Sequence, residues 1–156
     1  MFKKIVMFIL LIAWIFVIAG LSGEVGVESK DRGAQVAKLV KIFISNGRMP
    51  FDYSIVNDDK VLMYVIRKLG HVLTYFVLAL LIYTFLCQTR LSRGKALMLT
   101  IIFSMMGAAL DEYNQLHVSG RDGTVMDILI DSIGVIAALI LSSTISQITA
   151  KLPEKT

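Results

Sequence analysis

The chain has 156 residues, of which 56% are hydrophobic and 18% charged, and its mean hydropathy is +0.72. Ordinary soluble domains hold an apolar share of about 45–50% even with glycine counted, so the composition reads as a membrane protein. The net charge of +4 suits an anionic bilayer surface and gives no ground for a nucleic-acid partner. A lone cysteine, Cys87, excludes an intrachain disulfide framework and a cysteine-based structural zinc site.

Ile5 to Leu21 is an uncharged run of 17 residues behind Lys3 and Lys4, near the shortest length that crosses a bilayer as a helix. A secretory signal shares this layout. The run exceeds the about 7–15 apolar residues of a signal core, and no A-x-A site follows, so a retained anchor is expected. A connector, 22–68, comes next. Within it Val36, Leu39, Val40 and Phe43, with Ile42, form one apolar stripe, and Val61, Leu62, Tyr64, Val65 and Ile66 form a second short one that leads into the second span. Both predict amphipathic helices lying on the membrane or capping a bundle, against the alternative of a solvated loop helix. Asn46-Gly47, Pro50 and Asn57-Asp58-Asp59 predict a turn between them.

Leu69 to Cys87 is the second expected span. The third, about 96–116, is uncharged only as far as Leu110 and ends on Asp111, Glu112 and Gln115. The fourth, about 125–148, carries Asp127 and Asp131 in its first two turns. The expected fold is therefore all-α: an integral membrane bundle of four transmembrane helices, one membrane domain over 1–156, with an amphipathic extramembrane connector after the first helix.

Charge counting alone leaves the orientation open. An inside N-terminus puts seven lysines and arginines on the cytoplasmic side, and the reverse puts nine there. Eight of those nine lie in the 47-residue connector, where charges far from span ends count for little, and the first helix usually dominates. A multi-pass protein of the cell membrane with a cytoplasmic N-terminus is expected.

An antiparallel arrangement of four spans gathers the start of span two, the end of span three and the start of span four on one membrane face. Lys68, His71 and Tyr75 recur at i, i+3 and i+7, and so share one stripe. Asp111, Glu112 and Gln115 can face a common side, and Asp127, Asp131 and Gly134 repeat the stripe on span four. Four unpaired carboxylates at mid-bilayer depth would cost on the order of 10 kcal/mol. They must lie near the interface, face a polar cavity, or pair with Arg121, Lys68 or a protonated His71. A clamp that only fixes helix packing is the alternative to a functional pocket. Tyr75 reads equally well as an interfacial aromatic, and His117 as a loop residue.

The ordered set Lys68-x2-His71-x3-Tyr75, Asp111-Glu112-x2-Gln115, Gly120-Arg121-Asp122-Gly123 and Asp127-x3-Asp131-x2-Gly134 resembles the VanZ-like family of small bacterial membrane proteins, over about residues 68–138. Ser22-Gly23-Glu24 stands where members more usually carry Ser-Ser-Gln. Asp131 stands where they commonly carry Asn, which adds an ionisable group suited to a proton-linked or cation-binding role. The founding member is associated with low-level resistance to the lipoglycopeptide teicoplanin, so the resemblance implies envelope biology at the outer leaflet.

Two functions remain open. One is a binding protein whose outward pocket, drawn from Lys68, His71, Tyr75, Asp111, Glu112, Gln115, Arg121, Asp127 and Asp131, engages an envelope lipid, cell-wall precursor or lipoglycopeptide, with Arg121 and Lys68 on its phosphate or carboxylate. The other is a small membrane enzyme acting on an envelope lipid, with catalytic candidates His71, Glu112, Arg121 and Asp127. G-x-S-x-G, H-E-x-x-H and P-loop motifs do not occur in the sequence. A divalent metal on His71, Asp111, Glu112 and Asp127 fits the ligand types, but spacing across separate helices does not establish it. A transporter is the weaker reading, since four spans without repeats offer little machinery for alternating access.

Overall fold

A computed structural model describes residues 2–46 and 58–151, and these residues are helical apart from short connections. Among the described residues five helices follow one another: α1 Phe2–Gly23, α2 Gly26–Asn46, α3 Asp59–Cys87, α4 Arg93–Gln115 and α5 Val125–Lys151. Four of them, α1, α3, α4 and α5, are long and apolar enough to cross a membrane, the last over Val125–Ile145. The expected turn falls, from Gly47 to Asn57, outside the described residues.

The second span differs from its expected bounds. The stripe Val61–Ile66 is not a helix of its own: it forms the opening turns of α3, which runs unbroken for 29 residues. No proline and no turn residue interrupts the hydrogen-bond ladder between Asp59 and Leu69, so the polar start simply continues into the apolar run. At 1.5 Å per residue α3 is about 44 Å long, well beyond the about 30 Å of a hydrocarbon core. Asp58 starts it: the backbone is extended there, and the carboxylate accepts from Lys60 N at 2.9 Å and Val61 N at 3.3 Å. The first stripe does form a helix, α2, with Val36, Leu39 and Phe43 exposed and Ala37 buried.

Packing in the bundle centres on α3, whose most extensive contact is with α5. Small side chains hold the seams: Ala79 on α3, Ala96, Thr100, Ser104 and Ala108 on α4, and Ala138 on α5 are all buried. In a bilayer the lipid tails remove the hydrophobic drive for helix association, and close approach of backbones takes its place. Gly134 shows how close: a Cβ there would overlap the carbonyl oxygen of Val72. Thr100 satisfies its buried hydroxyl on Ala96 O at 2.8 Å. Large apolar side chains point outward instead, among them Phe16, Ile102, Leu110, Met126 and Ile140. α1 is the most peripheral span, with only Ser22 buried, and is tied to α3 by Trp14 Nε1 donating to Thr74 O at 3.1 Å.

Candidate functional site at one end of the bundle

The start of α3, the end of α4 and the start of α5 meet at one end of the bundle, as the antiparallel arrangement requires. Lys68 forms an ion pair with Asp127, whose side chain is 2% exposed. Thr124 positions that carboxylate in the manner of an N-cap, its Oγ1 accepting from Asp127 N at 3.2 Å. Thr124 N in turn donates to Glu112 Oε2 at 2.8 Å, so α4 holds the first turn of α5 through a buried carboxylate.

The Gln115 amide bridges the end of α4. Its Nε2 donates to Asp111 Oδ2 at 3.2 Å and to Glu112 Oε1 at 3.3 Å, the i+4 and i+3 reach that the spacing predicts. One turn deeper, His71 Nδ1 stands 3.3 Å from Asp131 Oδ1. His71, Glu112 and Asp131, from three different helices, present ligand-type atoms within 4.8 Å of one another. Tyr75 is fully buried beside α4, and its interfacial reading does not hold: the α3 stripe turns it into the bundle. His117 sits in the connector with Nδ1 2.9 Å from Tyr113 O, as a loop residue would.

Arg121 goes elsewhere. Its Nη2 donates to Ser29 Oγ at 2.8 Å and its Nη1 to Ser22 O at 3.5 Å, and Glu24 Oε2 lies 4.0 Å away. The expected partnership with the acids of spans three and four is thus replaced by one with the α1–α2 junction. A backbone bond from Gly26 N to Ser119 O at 3.0 Å draws that junction onto the connector, where Gly120 takes a φ of 75°. Glu24 is also paired with Arg32. Burial lowers the Arg121 pKa from its usual value, and the nearby charges of Arg67 and Arg32 lower it further, while Asp111 and Glu112 oppose them. A guanidinium remains charged under these pressures.

Between these groups lies a cavity of about 190 Å³. Ser22, Glu24, Arg32, Arg67, His71, Asp111, Gln115 and Arg121 supply its polar lining, and Ile18, Leu21, Val36 and Ile66 its apolar wall. A second pocket of about 500 Å³ adjoins it along α2 and α3, lined by Lys30, Lys60, Tyr64, Arg67 and Arg121. Of the residues expected at the site, His71, Tyr75, Asp111, Gln115 and Arg121 line the cavity. Lys68, Glu112, Asp127 and Asp131 form the polar layer behind it. Sequence reasoning missed Ser29, Arg32 and Arg67, which it treated as part of a connector that orients and anchors the chain. The only local signals were the polar Ser22-Gly23-Glu24 exit from the first span and Arg67 next to Lys68.

Four membrane-length helices enclosing a polar layer and an amphipathic cavity at one end define a multi-pass helical membrane protein. The family model described as VanZ/LLP1 matches residues 7–146, far beyond the segment that carries the motifs, and the chain belongs to that family. No curated protein and no solved structure matches it.

Proposed function

We propose that the protein is a membrane-embedded binding protein of the cell envelope, with an inside N-terminus, whose cavity receives the anionic head of an envelope lipid, cell-wall precursor or lipoglycopeptide. The observation that carries this reading is the mixed lining of the cavity, which joins Arg121 and Arg67 to Ile18, Leu21, Val36 and Ile66, Arg32 being paired with Glu24. Guanidinium groups take phosphate or carboxylate through paired hydrogen bonds, and an apolar wall beside them suits the first carbons of an acyl or prenyl chain. Lys68 drops out of the anion-holding set, because Asp127 already occupies it. Size limits what enters. Pockets for drug-sized ligands run to about 300–1,000 Å³, so a cavity of about 190 Å³ takes a headgroup or one arm of a lipoglycopeptide and not the whole molecule.

The test is protection and binding measured together. Arg121→Ala and Arg67→Ala are expected to abolish protection of cells against a lipoglycopeptide and to weaken binding of the purified protein to vesicles containing an anionic lipid by about tenfold or more, with membrane insertion intact. Retention of both properties in both variants would exclude the cavity as the site. The His71–Asp131 pair favours catalysis as a second reading, since an imidazole oriented by a buried carboxylate can act as a general acid or base. A new product mass from an envelope lipid, lost in His71→Ala, would decide for it.

A further inference from the structure

Behind the cavity the carboxylates Asp111, Glu112, Asp127 and Asp131 outnumber the basic groups paired with them, Lys68 and His71. Asp127 is served by Lys68, Glu112 by Thr124 N and Gln115 Nε2, and Asp111 by Gln115 Nε2. Asp131, fully buried on α5, meets only His71, and its Oδ2 has no hydrogen-bond partner among the described residues. Gln115, 1% exposed, spends its amide nitrogen on two carboxylates and leaves Oε1 buried and unpartnered next to Glu112. Buried charge of one sign is paired or coordinates a metal; here, among the described residues, Asp131 has no cation beside it but His71, and a nearby hydroxyl, the buried Tyr75 Oη, makes no hydrogen bond.

We propose that His71, Glu112 and Asp131 form a binding site for a divalent first-row transition-metal cation, of the Mn2+ or Zn2+ class. The geometry is that of a site. Ligands about 2.0–2.2 Å from one ion stand about 3.4 Å apart along a tetrahedral edge, and His71 Nδ1 and Asp131 Oδ1 are 3.3 Å apart. The whole triad lies within 4.8 Å, so small side-chain rotations close it around an ion. An imidazole with two carboxylates suits Mn2+ and Zn2+ better than the all-oxygen sites of Ca2+ and Mg2+. Glu112 is already held by Thr124 N and Gln115, the outer hydrogen bonding that fixes a ligand's orientation. His71 borders the cavity, which supplies the path of entry.

The experiment uses the full chain in nanodiscs, stripped with chelator and titrated with Mn2+ alone. One ion per chain is expected by elemental analysis after gel filtration, with Zn2+ competing for it. Pulsed electron paramagnetic resonance of the Mn2+ form is expected to show coupling to an imidazole nitrogen. His71→Gln removes that coupling, and Asp131→Asn weakens Mn2+ binding at least about tenfold, with circular dichroism unchanged. Failure to retain stoichiometric Mn2+ or Zn2+, or Mn2+ bound without nitrogen coupling in the unmutated chain, overturns the site. So does retention unaffected by both substitutions. The nanodisc lipid is wholly zwitterionic, so no anionic headgroup competes in this measurement; its failure leaves the headgroup reading standing, and loss of headgroup binding in Arg121→Ala leaves the metal site standing.

Discussion

Lys68 and Asp127 show how a charge is made tolerable inside this bundle. The lysine side chain keeps 18% of its surface exposed while the aspartate keeps 2%, so the long aliphatic stem carries the ammonium from the interface down to a carboxylate that forms no other ion pair among the described residues. Removing one partner leaves the other charge uncompensated, at a cost of about 3–5 kcal/mol, whereas replacing both with apolar side chains of similar volume is close to neutral. Lys68→Met is therefore expected to lower the thermal midpoint in detergent sharply, and Lys68→Met with Asp127→Leu to recover most of the loss. Equal losses in the single and double variants would show that the pair does not act as a unit. The spacing of Lys68, His71 and Tyr75 along one helical stripe was legible from the sequence. Which acid each would meet was not, because the rotation of α3 against α5 is set by close backbone packing at their crossing, which charge spacing does not encode.

Packing at that crossing is an affair of whole helices. Gly134 lets α5 lie against the backbone of α3 at Val72 and Phe76, and the same approach brings Asp131, three residues earlier, within reach of His71. Gly134→Ala is expected to destabilise the bundle by about 1–3 kcal/mol, read as an earlier transition in an SDS titration, and to part His71 from Asp131. Ile136→Ala, on an exposed face of the same helix, should leave the transition nearly unmoved. At the other end of α3 the Asp58 cap is worth about 0.5–2 kcal/mol. Asp58→Ala is expected to raise hydrogen exchange over residues 59–66 without altering the span. Helix α3 also explains why the second amphipathic stretch was misjudged in extent: apolar periodicity marks a helix, but nothing in it separates a surface segment from the first turns of a long span.

For the molecule as a whole, the two ends of the bundle differ in kind. Cys87 and the short link to α4 occupy one end; the cavity, the polar layer and the Gly120 connector occupy the other. With the N-terminus inside, Cys87 faces the cytoplasm and the exposed Asp122 faces out. A membrane-impermeant maleimide is then expected to label Asp122→Cys in a Cys87→Ser background on intact cells, and to label native Cys87 only after permeabilisation. The opposite pattern would invert the topology.

Membrane embedding, the number of spans and the end at which polar residues collect were determined by the sequence by itself, because hydropathy and helical spacing act locally along the chain and the bilayer enforces them. The partners within that polar end were decided only by the tertiary structure. Arg121 leaves the acids of α4 and α5 for Ser22, Ser29 and Glu24, and the connector contributes Arg32 and Arg67 to the cavity. Residues about 90 positions apart meet there through the fold of α2 over the bundle, a contact that no local pattern of charge or hydropathy encodes.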